Sequence, residues 1–170
     1  MADAAPAAPP ASLATPTDLN KNDTRTVGDA LNVSLADAYA LYLKTKNYHW
    51  HVSGPHFRDY HLMLDEQAAQ ILAVTDVIAE RVRKTGHTTL RSIGDIARRQ
   101  QIRDDDRDFV PPEEMLANLR DDNLAFIKSV REARDLAEEA NDTATSSLAD
   151  EWIDQAEERA WFLFEASRKG

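Results

Sequence analysis

The chain has 170 residues, a formal net charge of −10 and no cysteine. That length supports one domain with a real core, and the absence of thiols excludes disulfides, iron–sulfur clusters and cysteine-ligated zinc. The acidic balance argues against nucleic acid or an anionic membrane as a default partner and suits a host for cations. Only five glycines occur among abundant Ala, Leu, Glu and Asp, a composition that favours helix over sheet. No apolar run approaches the ~20 residues that span a bilayer. Met1-Ala2-Asp3 begins no basic signal-peptide region, so the expectation is a cytoplasmic protein with no membrane partner.

Residues 1–23 are rich in Ala, Pro, Ser and Thr and read as a disordered tail ahead of one domain over residues 24–168. A first helix is predicted from about Thr26 to Val52, where Leu31, Leu35, Ala38, Tyr42 and His49 recur at helical spacing. Ser53-Gly54-Pro55 ends it. A second helix is predicted from about His56 to Thr85, with Gly86 as its C-terminal cap. Its buried stripe reads Phe57, Tyr60, Leu64, Ala68, Ile71, Leu72, Thr75, Ile78 and Val82. Residues 87–110 break the periodicity and hold one short helix around Ser92–Ala97, in a connection too long for a tight hairpin. A third long helix starts near Pro111-Pro112-Glu113, carries Met115, Leu119, Asn123, Phe126, Ile127 and Val130, and reaches about Ala140. After the turn Asn141-Asp142-Thr143, the last helix buries Leu148, Trp152, Ala156, Ala160, Leu163 and Phe164 and ends near Ser167. Four long amphipathic helices with one long crossover make an all-α, ferritin-like four-helix bundle with a short helix between the second and third.

Five metal-capable side chains lie in the first two helices: His49, His61, Asp65, Asp76 and Glu80. His61/Asp65 and Asp76/Glu80 are i, i+4 pairs, which point the same way from a helix. Imidazole with carboxylate, and no thiol, suits a hard or borderline metal such as iron. Relative to His61, Asp65 sits at about 40°, Asp76 at about 60° and Glu80 at about 100° around the axis. One stripe therefore carries all four. Asp65 and Asp76 are nonetheless about 16 Å apart along it, far beyond the ~2 Å reach of ligand bonds to one ion. The alternative for each residue is a solvated or satisfied helix position, but ionisable groups bordering an apolar stripe are costly unless paired or bound to an ion. His49 can join His61 and Asp65 across the turn at Pro55. Asp76 and Glu80 need completion from elsewhere, and the later helices offer acids but no histidine. A two-fold dimer with antiparallel second helices completes both sets at once. A single-bundle di-metal oxidase is the competing architecture, disfavoured because no second ligand set exists in the chain.

The stretch from Tyr48 to Gly86 resembles the Dps family, the mini-ferritins also called DNA-binding proteins from starved cells. The residues that carry the resemblance are His49-Trp50, Gly54-Pro55-His56-Phe57, His61, Leu64-Asp65-Glu66, Asp76 and Glu80-Arg81. It implies a twelve-subunit shell of two-fold dimers, with ferroxidase centres between subunits. It also implies Fe(II) as substrate, oxidised with hydrogen peroxide or dioxygen at a di-iron site, with ferric mineral stored inside against oxidative stress. On the matching positions, His49, His61 and Asp65 are expected as ligands from one subunit and Asp76 and Glu80 from its partner. Trp50 is expected beside the centre, packed into the core. His51 should face elsewhere, and His56 and His87 read as surface or turn residues. Asp142, Asp150 and Glu151 are candidates for acidic iron pores. The family's name implies DNA as a partner and association with the nucleoid. Here, however, the tail has no Lys or Arg before Lys21, and counterion release needs several cations near phosphate. DNA protection with secondary metal chemistry is therefore the alternative reading.

Overall fold

The computed structural model describes residues 10–168, and every element among them is helical. The first nine residues of the expected tail, and Lys169 and Gly170, lie outside the described residues. A 3-10 turn over Ala11–Leu13 comes first. The first long helix, α1, runs Lys21–His51 and starts ahead of the predicted Thr26 because Asn20 caps it: the Asn20 side chain accepts from the Asn22 N–H at 2.9 Å. A cap, not the first apolar residue, sets a helix start. Residues ahead of the cap are tied to the domain, since Arg83 Nη2 donates to the Leu13 carbonyl at 2.7 Å.

Gly54, at φ 101°, turns the chain into α2, Phe57–Lys84. Gly86 closes α2 at φ 91°, and the His87 N–H reaches back to the Val82 carbonyl at 3.2 Å. This is a Schellman-type ending at a residue without a Cβ penalty. Ser92 caps the short α3, Ile93–Arg99, by accepting from the Asp95 N–H. α4 is Pro112–Glu139, with proline in its first turn where no N–H is needed. Asn141, at φ 58°, ends α4, and Asp142 caps α5, Thr143–Ser167.

α1 pairs with α2, α4 pairs with α5, and α1 packs on α4 to join the two hairpins; α3 lies against α1. The core between them contains Leu31, Leu35, Leu41, Tyr48, Leu64, Ile71, Ile78, Leu119, Phe126, Val130, Trp152 and Leu163. The predicted faces of α1 and α4 match this closely. The predicted stripe of α2 is too wide, because Phe57 (45 %) and Leu72 (42 %) are exposed; so is Phe164 of α5 (45 %).

A row of polar groups on α1 holds the crossover down. Asp37 Oδ1 accepts from the N–H groups of Gln101 and Ile102 at 2.6 and 3.1 Å. Lys44 Nζ donates to the Arg103 carbonyl and pairs with Asp122 at 2.7 Å. Asn47 Nδ2 donates to the Asp105 carbonyl, and the Tyr48 hydroxyl donates to the Asp105 carboxylate at 2.5 Å. Buried backbone groups need partners, and the irregular part of the crossover after α3 takes them from a helix flank. His87, read from sequence as a surface or turn residue, belongs to the same pinning. Its ring lies over Gly28, where a Cβ would stand 3.4 Å from it, and its Nε2 meets Thr24 Oγ1 at 3.0 Å. Burial pushes its pKa below the usual value.

Candidate metal centre

Two histidines from different helices meet at the α1–α2 turn. His49 Nδ1 lies 2.8 Å from the His61 carbonyl oxygen, and His61 Nδ1 lies 2.9 Å from the His49 carbonyl oxygen. A carbonyl only accepts, so each Nδ1 carries the proton. Each Nε2 of the neutral ring is then left with its lone pair. A second hydrogen bond of this kind orients a metal-binding imidazole. The two rings stack at 3.8 Å between centroids and 21° between planes, and the Phe57 ring leans on His61 at 5.1 Å. The reciprocal bonds arise because the turn at Gly54 returns the chain antiparallel, bringing the last turn of α1 level with the first turns of α2.

Asp65 stands one turn further along α2. Its Oδ1 is 3.9 Å from His49 Nε2 and accepts from Lys46 Nζ at 2.7 Å. The bound ammonium holds the Asp65 carboxyl below the usual carboxylate range. Lys46 was not singled out by the sequence reading; the available signal was a cation one turn before His49 on the same helix. The structure thus brings His49, His61 and Asp65 together. It leaves Asp76 and Glu80 on later turns of α2, exposed, with Glu80 paired to Lys84 at 3.1 Å. Among the described residues no group of three or more His, Asp or Glu side chains converges tightly enough to hold an ion. The physical reasons are that Lys46 engages Asp65 and that Asp65 and Asp76 sit about 16 Å apart along α2.

The surroundings of the donors are apolar and open. Leu62 and Leu72 are each 42 % exposed and fall at about 100° and 20° from His61, within the arc of the candidate donors. Trp50 corrects an expectation: it is 58 % exposed, outside the core, with the Lys46 ammonium 5.8 Å from its ring centroid. His51 does face elsewhere, its Nδ1 donating to the Asn47 carbonyl.

Asp142 corrects another. It is buried, caps α5 through the Thr145 N–H and Oγ1, and accepts from Arg81 Nη2 at 2.6 Å. A carboxylate so committed cannot line a pore. Asp150 is paired with Arg134 at 2.5 Å.

The interior of the bundle contains a buried cation. Arg159 of α5 is 2 % exposed and donates from Nε to Asn123 Oδ1 at 2.9 Å, and its backbone carbonyl accepts from Gln67 of α2. Burial lowers its pKa to about 10. A guanidinium in the core repels a dication, which counts against the single-bundle oxidase.

Four long helices, a long second connection and an imidazole–carboxylate cluster at one bundle end define a ferritin-like protein. Residues 28–169 match the family model described as a ferritin-like domain. A DNA protection during starvation protein of Halobacterium salinarum is 36 % identical over 132 residues, which covers 78 % of this chain and 72 % of the relative. The crystal structure of an archaeal Dps homologue from the same organism superposes with a TM-score of 0.87 at 29 % identity, over 98 % of this chain and 94 % of that one. A Dps protein from Vibrio cholerae O1, described as a member of a broad superfamily of ferritin-like diiron-carboxylate proteins, gives a TM-score of 0.85 at 25 % identity, covering 91 % of this chain and 98 % of the other. The chain belongs to the Dps family of ferritin-like proteins.

Proposed function

We propose that this protein is an iron-storing ferroxidase that oxidises Fe(II) at sites shared between two subunits. It keeps the ferric product inside a twelve-subunit shell and protects the cytoplasm from iron and peroxide together. The observation that carries this reading is the stacked pair His49 and His61, both fixed with Nδ1 protonated, beside Asp65 on an exposed apolar arc. Two Nε2 lone pairs and a carboxylate are three donors of a kind iron accepts. They are too few to enclose it, and the exposed Leu62 and Leu72 on the same arc of α2 call for a covering surface. A second copy with its α2 antiparallel supplies both the cover and Asp76 and Glu80. Glu80 would then be one of the carboxylates that hold the iron ions. Two Fe(II) give one electron each, the O–O bond of hydrogen peroxide breaks, and two hydroxides form, so no radical is released.

The alternative, DNA protection as the primary role, is less well supported. Arg98 and Arg99 bond Asp95, Arg107 bonds Asp105 and Glu114, and Arg168 bonds Glu165. Cations already paired release few counterions on phosphate.

The test is Fe(II) oxidation by peroxide in Asp65→Ala and His61→Ala, followed by absorbance, with shell size measured alongside. Rapid oxidation should vanish in both while the particle stays dodecameric. Parental kinetics in either variant would remove the site from this account.

A further inference from the structure

Lys46 is bonded to the carboxylate of the half-site. Its ammonium bonds Asp65 Oδ1 at 2.7 Å, and the same oxygen is 3.9 Å from His49 Nε2. An ion bound by that oxygen and that nitrogen, with bonds of about 2 Å, lies between them and within a few ångströms of Nζ. Two cations so close repel strongly in a partly desolvated site. Lys46 is not a loose surface chain either: its side chain is only 17 % exposed, whereas Asp65 is 57 % exposed. The Trp50 ring centroid is 5.8 Å from Nζ, and an aromatic face is a favourable resting place for a displaced ammonium.

We propose that Lys46 is a built-in counter-cation of the half-site, which neutralises Asp65 until a divalent ion displaces it and so sets how much free Fe(II) is needed before the centre fills. This rests on the reading of His49, His61 and Asp65 as an iron site and names the residue that regulates it. Lys46 is a positioning residue: it acts through Asp65 and does not itself touch the metal. Displacement breaks one ammonium–carboxylate bond and forms metal–carboxylate and metal–imidazole bonds. The ammonium keeps its proton and swings toward Trp50, so no electron or proton is transferred.

The experiment uses assembled full-length protein and Co(II) without oxidant, with binding read from the visible absorption of the bound ion. Four proteins are compared: the parent, Lys46→Met, Lys46→Arg and Asp65→Ala. Lys46→Met keeps the stem and removes the charge, and it should bind Co(II) about three- to tenfold more tightly, the size expected when one adjacent charge is deleted. Lys46→Arg restores the charge and should return affinity to the parental range. Shell size and melting temperature should be the same in the parent and both lysine variants, so that a merely structural role would move neither affinity. Asp65→Ala should weaken binding. If Asp65→Ala binds like the parent, the iron-site reading itself falls. If Asp65→Ala weakens binding but Lys46→Met binds no more tightly than the parent, the site stands and the role given to Lys46 is overturned.

Discussion

Asp142→Ala separates a structural acid from a metal-path acid. The side chain caps α5 through the Thr145 N–H at 3.1 Å and holds Arg81 Nη2 at 2.6 Å, at 2 % exposure. Losing an N-cap of this kind costs about 1 kcal/mol. Losing a hydrogen bond to a charged partner costs about 1.5–3 kcal/mol. Arg81 is 14 % exposed and keeps its Nε bond to Thr145 Oγ1, so the second loss belongs at the lower end of its range. The total is about 2.5 kcal/mol, or a fall of about 5–10 °C in melting temperature for a domain of this size. Calorimetry at fixed subunit concentration is the assay, because assembly makes stability concentration-dependent. Asp142→Asn keeps an oxygen for the cap and should lose about half as much. Peroxide-dependent iron oxidation per assembled subunit should be unchanged in both. A parental melting temperature in Asp142→Ala, combined with slowed iron uptake, would refute the capping account and restore Asp142 to an iron path.

Three further outcomes follow from the same geometry. Burial raises the Asp37 pKa above the usual carboxylate value, despite the opposing N–H bonds of Gln101 and Ile102 and with a further push from Asp122. The folded chain therefore binds this proton more tightly than the unfolded chain, and the contribution is largest below about pH 4 and declines as pH rises through the folded pKa. Asp37→Asn should gain melting temperature relative to the parent as pH rises from about 4 to 7, and a difference independent of pH would disprove this. The buried Arg159 has one guanidinium nitrogen, Nη1, without a hydrogen-bond partner. The pair Arg159→Met with Asn123→Leu should hold or raise stability by about 1 kcal/mol or more in chemical denaturation, and clear destabilisation would show that the guanidinium supports the core. A gel shift with the assembled protein at physiological salt should show no retained duplex, whereas a salt-sensitive shift would revive DNA protection as the main role.

The helices of α1 and α4 were legible because their apolar residues repeat at 3.6-residue spacing and their predicted faces are the buried ones. The face of α2 was less legible. Phe57 and Leu72 read as core by hydrophobicity, yet lie exposed, since hydrophobicity alone does not separate a core position from an exposed apolar one. The crossover was legible only as a break in periodicity. Its anchors are single polar side chains of α1, and nothing in sequence spacing pairs Asp37 with Gln101 or Tyr48 with Asp105.

The sequence alone determined the all-helical bundle, its one long connection, the exclusion of thiol chemistry and the donors worth naming. Periodicity, caps and residue chemistry are local properties, readable without knowing what lies across the fold. Only the tertiary structure decided that His49 and His61 exchange hydrogen bonds with each other's backbone and present Nε2. It alone placed Lys46 on Asp65 and Asp142 under Arg81. Those contacts join residues from different helices, and they depend on how the helices turn and pack, which no single stretch of chain encodes.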